Sequence, residues 1–289
     1  VARTAQRSGE RPEAPEPLPH PVVDNHCHLD IGAHDGPGEP ILVAEALARS
    51  AAVGVPRIVQ IGCDLPGARW AVETANSHAA IVAGVALHPN EAPRLDAEGR
   101  LDEALAEIAD LATDARVRAV GETGLDTFRT GPEGQAAQVR SFRRHIELAG
   151  ELGKTLVIHD RDAHDEVLAV LDEVGAPHRW VMHCFSGDAA FAAACLERGA
   201  YLSFAGTVTF KNAEPLREAL RMAPLDRILV ETDAPFLTPE PWRGRPNASY
   251  LVPTTVRAMA ATRGADLEEL CRAIDANTED AFGGPWSAS

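Results

Sequence analysis

Aromatic residues are scarce: Phe, Trp and Tyr make up 5% of the 289 residues. Any core must therefore be filled by Ala, Val and Leu, and a hydrophobic content of 45% is enough for a sizeable one. Basic residues are also few. Against 43 Asp and Glu stand 27 Lys and Arg, giving a formal net charge of -16. That balance argues against a broad basic surface for duplex DNA and against adsorption to anionic membranes. It leaves room for a small site whose positive charge comes from metal ions. There is no C-x-x-C pair. The five cysteines (Cys27, Cys63, Cys184, Cys195 and Cys271) are odd in number and widely spread, the pattern of reduced, mostly buried thiols in a cytoplasmic protein. No segment has the roughly 18 consecutive apolar residues of a membrane span. No apolar run with a cleavage site opens the chain, so no secretory signal is expected. Residues 1–21 are rich in Pro, Arg and Glu and nearly free of large apolar residues, which predicts a disordered, solvated tail.

Beyond that tail, eight short apolar runs rich in β-branched residues alternate with Ala/Leu/Glu-rich stretches of helical period. The runs are "VVDNH" from Val22, "RIVQIG" from Arg57, "AIVAGVA" from Ala80, "VRAVGE" from Val117, "TLVIH" from Thr155, "WVMHCF" from Trp180, "AYLSFAG" from Ala200 and "RILVET" from Arg227. They are continuously apolar rather than alternating, as strands covered on both faces should be. Helical stretches between them stop at Gly54, Gly153, Gly175 and Gly199, and at Gly153 a C-cap glycine is expected. Eight β-α units predict one (β/α)8 TIM barrel over residues 22–289. A doubly wound open sheet is the competitor, and it would more typically carry a Gly-rich first turn, which is absent.

A barrel places its active site at the C-terminal ends of its strands. The first run ends in His26-x-His28, the fourth in Glu122, the fifth in His159, the sixth in His183 and the eighth in Asp233. Six metal-ligand types thus stand at the same end of five strands. In a regular strand Asp24, His26 and His28 share one face and Cys27 points to the other. The set fits two divalent ions: His26 and His28 on the first, His159 and His183 on the second, and Glu122 as the anion bridging two dications. Asp233, beside the first strand, would ligate the first ion and accept a proton from water activated there. Imidazoles favour Zn, Mn or Co, while carboxylates and open positions admit Mg. Around this set, His88 and Arg161 are candidate phosphate contacts, and Asp126 would orient a ligand. Arg243 and Arg245 could grip backbone phosphates. His20, His34, His78, His145, His164 and His178 read as solvated.

The stretches "DNHCHLD", "GETGLD", "IHDRDA", "HCFSG", "ETDAPFL" and "WRGRPN" resemble the TatD family of metal-dependent deoxyribonucleases, in the wider amidohydrolase superfamily. The resemblance covers about Val22 to Gly283. It implies a (β/α)8 barrel and divalent metal held by the matching histidines, glutamate and aspartate. It also implies hydrolysis of DNA phosphodiesters, usually from the 3′ end. The sequence departs from the family at Thr127-Phe128, where tyrosines are common, and at Ala248-Ser249, where an acid and a proline are usual. Those changes spare the ligands and touch the substrate contacts. The reading is a cytoplasmic 3′-to-5′ exonuclease acting on single-stranded DNA ends, with no membrane and no obligate protein partner. The rivals are a superfamily hydrolase of a small ester, lactone or amide, and a non-catalytic barrel that binds metal or a partner.

Overall fold

Short β-branched runs that are apolar on both faces form a sheet only if both faces are covered, and here all eight expected runs do so. The computed structural model describes residues 10–34, 41–284 and 286. The strands are β1 (Val23–Cys27), β2 (Arg57–Gly62), β3 (Ile81–Val85), β4 (Val117–Asp126), β5 (Thr155–Arg161), β6 (Trp180–Met182), β7 (Tyr201–Phe204) and β8 (Ile228–Val230). They pair in parallel, each with the next in sequence, in one eight-stranded sheet. A parallel bridge between Cys27 and Ala234, just past β8, brings the last strand back to the first. The helices are α1 (Leu29–His34), α2 (Val43–Ala52), α3 (Leu65–Ser77), α4 (Glu91–Ala97), α5 (Leu101–Leu111), α6 (Pro132–Leu152), α7 (His164–Val174), α8 (Ala189–Glu197), α9 (Glu214–Met222), α10 (Val252–Arg263) and α11 (Leu267–Ala281). The chain is a single (β/α)8 barrel.

Strand alternation splits the core in two. Val23, Val59, Val82, Ala119, Val157, Val181, Tyr201 and Leu229, at least one from each strand, form an inner cluster closed off by Phe282 and Trp286. Their neighbours Val22, Ile58, Ile81, Val120, Leu156, Trp180, Leu202 and Ile228 join the larger outer cluster packed against the helices. The low aromatic content is thus used sparingly, with one end of the interior sealed by two rings.

Two strands break the alternation, both beside the site. On β1, Asp24 pairs with Ile58 and Cys27 with Gln60, so three steps on β1 face two on β2. On β4, Val120 pairs with Leu156 and Thr123 with Ile158, again three steps against two. Such bulges re-aim side chains. The first overturns one expectation: Asp24 does not join His26 and His28. It accepts hydrogen bonds from Thr232 Oγ1 (2.6 Å) and Thr232 N (2.9 Å), stitching β1 to the chain after β8.

Residues 1–9 of the expected tail lie outside the described residues. Residues 10–21 do not behave as a solvated tail but run along the barrel. Arg11 donates to Asn247 O (3.2 Å), Tyr250 Oη to Pro12 O (2.7 Å) and Arg257 to Pro17 O (3.0 Å). Leu18 is buried, and its N–H donates to Val53 O at 3.0 Å. The strap crosses close over Gly54, whose φ is +87° and whose missing Cβ would lie 3.2 Å from Leu18 Cβ. Only glycine meets both demands without cost. Composition hid this, because the strap is fixed by tertiary hydrogen bonds rather than by its own apolar content. Also unforeseen are α1 and α4, which follow β1 and β3 as short turns of helix.

Candidate metal centre

Glu122 is the centre of the site. It is buried, with a relative exposure of 4%, and each of its oxygens faces a different group. Oε1 lies 2.6 Å from His159 Nδ1, 3.1 Å from His183 Nε2 and 3.6 Å from His88 Nε2. Oε2 lies 3.5 Å from His26 Nε2, 3.9 Å from His28 Nε2 and 3.5 Å from Cys63 Sγ. Asp233 Oδ1 closes the second side, 3.3 Å from His28 Nε2 and 3.9 Å from His26 Nε2. The six residues singled out in the sequence are brought together.

Local backbone explains the placement. Gly124, with φ +140°, lets β4 approach β5 so closely that a Cβ there would fall 2.0 Å from His159 O. That contact sets Glu122 beside His159. Asp233 stands beyond β8 in a left-handed conformation, φ +54°, unusual for a non-glycine residue and found most often where function holds it. Its N–H donates to His26 O at 2.9 Å, and His28 N donates to Ala234 O at 2.8 Å. The "RPN" loop locks the turn: Asn247 Nδ2 donates to Thr232 O (2.9 Å) and to Phe236 O (2.6 Å).

The second ring nitrogen of three histidines faces an oxygen, in one hydrogen bond and two ion-pair contacts. His28 Nδ1 donates to Ile61 O at 3.0 Å, which turns Nε2 toward the centre. His183 Nδ1 lies 2.8 Å from Glu231 Oε1, and His159 Nε2 lies 3.4 Å from Asp126 Oδ2. The His28 hydrogen bond fixes that ring's orientation in the way usual for a metal-ligating imidazole. Burial opposes charge on His28, yet Asp233 and Glu122 lift it to about 9. Burial likewise opposes charge on His159, and Asp126 and Glu122 raise it to about 9. Burial pushes His88 down to about 4. Glu122 is held well below the usual carboxylate range: burial works against this, and His183, His88 and His159 outweigh it.

The donor set fits metal. Nε2 of His26 and Nε2 of His28 stand 3.3 Å apart, both aimed at the same two carboxylates, and the rings of His26 and His183 stack with centroids 3.6 Å apart. Imidazoles crowded on carboxylates in this way are a ready cage for a cation. Among the described residues, donor atoms lie within 4.8 Å of one another in four sets: His26, His28 and Asp233; His26, His183 and Glu231; His28, Cys63 and Glu122; His88, Glu122 and His159.

Other candidates fare differently. His88 stands at the cluster, its ring centroid 4.5 Å from that of His159. Asp126 backs His159. Arg161 and Arg243 instead lie over rings, 4.1 Å from the centre of Phe128 and 4.3 Å from that of Phe210. Arg245 is half-buried, its carbonyl taking a hydrogen bond from Thr238 Oγ1 at 2.5 Å. Glu231 and Cys63 went unmarked in the sequence. Glu231 could have been found as the residue two before Asp233, and Cys63 as the residue directly after the second strand run. His145, expected in solvent, is fully buried: Ser141 O lies 2.7 Å from its Nδ1, and Leu87 N donates to its Nε2 at 3.3 Å. His164 stacks on Phe191 and lies 2.5 Å from Asp160, and His20 pairs with Asp275 at 3.1 Å. The His34 side chain lies outside the described residues.

Residues 23–283 match the family model described as "TatD related DNase". This chain belongs to the TatD family. It is 43% identical over 270 residues to the metal-dependent hydrolase TatD of Mycobacterium tuberculosis, covering 92% of this chain and 99% of that one. It is 35% identical over 250 residues to a Citrobacter rodentium protein named "3'-5' ssDNA/RNA exonuclease TatD", covering 83% of this chain and 91% of the relative. Among solved structures, the TatD homologue YJJV of Escherichia coli K12 superposes with a TM-score of 0.82 at 26% identity, covering 91% of this chain and 98% of that one. This chain is therefore a metal-dependent hydrolase on a TIM barrel, and a divalent metal is its cofactor.

Proposed function

We propose that this protein removes nucleotides from the 3′ end of single-stranded DNA, using two divalent ions gathered on Glu122. The observation that carries the reading is the division of labour on that carboxylate, with His159 and His183 on Oε1 and His26 and His28 on Oε2. His26, His28 and Asp233 would hold one ion and His159 and His183 the other, with Glu122 shared. When bound, such ions ease the loss of a proton from water and neutralise charge on phosphate oxygens. Asp233 is the base: its side chain is 16% exposed, open enough to meet water, and its Oδ1 is within 3.3 Å of His28 Nε2. Asp126 and Glu231 stand behind His159 and His183 at ion-pair distance, 3.4 and 2.8 Å. Imidazole favours Zn, Mn or Co, and the carboxylates admit Mg. Support for the substrate comes from the name of the Citrobacter relative. The five free cysteines suit a reducing cytoplasm.

The test is cleavage of 3′- and 5′-labelled single-stranded DNA by the metal-loaded protein, beside duplex DNA and a panel of esters and lactones. The expected result is stepwise loss from the 3′ end, abolished by chelator and restored by Mg²⁺ or Mn²⁺, with duplex interiors poorly cut. Intact DNA beside rapid lactone or ester hydrolysis would overturn the reading, and the altered loops at Thr127-Phe128 and Ala248-Ser249 would be the first place to look.

A further inference from the structure

Exposed large apolar side chains gathered at one place call for an explanation. Among the described residues they are Leu42, Phe128, Met222 and Phe236. Two of these stand at the barrel mouth: Phe128 two residues beyond Asp126, and Phe236 three beyond Asp233. In an eight-stranded barrel whose β8 returns to β1, the β4–β5 edge lies across the mouth from the β8–β1 edge. The two loops that carry these rings therefore lie on opposite sides of the metal centre.

Neither ring is buried: Phe128 is 63% exposed and Phe236 46%. Both are nonetheless positioned. The Arg161 guanidinium lies 4.1 Å from the Phe128 ring centre, and Thr127 N donates to Arg161 O at 3.0 Å, tying the β4 end to β5. The Phe236 ring centroid is 6.3 Å from that of His28, and its backbone is held at both ends, by Asp233 O and by Asn247 Nδ2. Core packing does not explain rings left this open, and histidines and carboxylates suffice for metal. An open phenyl face has no hydrogen-bonding group. It recognises another flat π-system by stacking, whatever that system's identity, and a guanidinium plane behind it adds to the stack.

Given the nuclease reading above, on which this inference rests, we propose that Phe128 backed by Arg161 and Phe236 are base-stacking platforms. They hold unpaired nucleobases on the two sides of the metal centre. The scissile phosphate is thereby centred over the Glu122 cluster between two stacked bases. Two consequences follow. Bases within a duplex are already stacked on one another and present no free face, so single strands are selected. Phenyl faces read no base edge, so cleavage tolerates sequence. The few cations of this acidic chain need not supply the grip, because stacking does.

The test compares an intact single-stranded oligonucleotide with one of the same length whose two 3′-terminal nucleotides are abasic, which keeps the phosphates and removes the bases. Wild-type enzyme should show a KM roughly tenfold higher on the abasic strand. Phe128→Ala and Phe236→Ala should each raise KM on the intact strand by a similar factor, with kcat changing far less, and should add little on the abasic strand. Phe128→Trp should restore the wild-type KM, while Phe128→Leu, as apolar but without a π face, should behave like alanine. Equal wild-type KM on both strands, equal effects of the variants on both, or full function in Phe128→Leu would each overturn the platforms while leaving the nuclease reading intact. A wild-type enzyme that cleaves neither strand overturns both, and does so before any variant is made.

Discussion

On the proposed reading Asp233 carries two roles at once, as donor to an ion and as acceptor of a proton. Asp233→Asn keeps the shape and part of the ligating ability but removes the basicity. Turnover should fall by roughly 10² to 10⁴ while elemental analysis still finds much of the metal. Metal lost in proportion to activity would make Asp233 a ligand only. A second residue-scale prediction concerns His145. Burial pushes its imidazole down to about 4 from a usual value near 6.5, and its neutral form satisfies Leu87 N. The unfolded chain binds this proton more readily. The stability from His145 is therefore whole above about pH 6.5 and lost as pH falls through about 4. Between those limits the urea midpoint of wild type should fall more steeply than that of His145→Gln. Parallel curves would show that His145 is not the titrating group. These two residues also mark how far single positions could be read. Asp233, His26, His28, His159, His183 and Glu122 were visible because each ends an apolar run, which names its end of the barrel. The burial of His145, the donor contacts of Cys63 and the place of Glu231 behind His183 were not, since each depends on which element packs against it.

At the scale of elements, periodicity located all eight strands and the main helices, because strands covered on both faces and amphipathic helices leave strong patterns. What it could not give was register. A one-residue bulge on β1 turns Asp24 away from the histidines and onto Thr232, and no local pattern in "VVDNHCH" announces it. The strap of residues 10–21 was missed for a similar reason, being held by partners more than 200 residues away, at Asn247, Tyr250 and Arg257. It should contribute to stability. Leu18→Ala removes a buried side chain, at a cost of roughly 2 kcal/mol, and should lower the melting temperature of the protein by about 5 °C. An unchanged melting curve would mean that the strap rests on the barrel without supporting it.

For the whole molecule, charge and fold pull in different directions. A net charge of -16 repels a polyanion, so only a few phosphates should be contacted, close to the metal centre. Each neutralised phosphate on a single strand adds about 0.7 to the slope of log affinity against log salt, and KM should therefore rise only gently with salt. A steep dependence would point to an extended basic track, contrary to the composition. The central claim is that Glu122 is shared by two ions, one held toward β1 and one toward β5 and β6. It is tested most directly by elemental analysis of Glu122→Gln against wild type, both loaded with Zn²⁺ or Mn²⁺ and freed of excess. A shared carboxylate predicts two ions per wild-type chain and the loss of both together in the variant. Wild-type metal content with unchanged activity in Glu122→Gln, or the loss of one ion with the other fully retained, would contradict it.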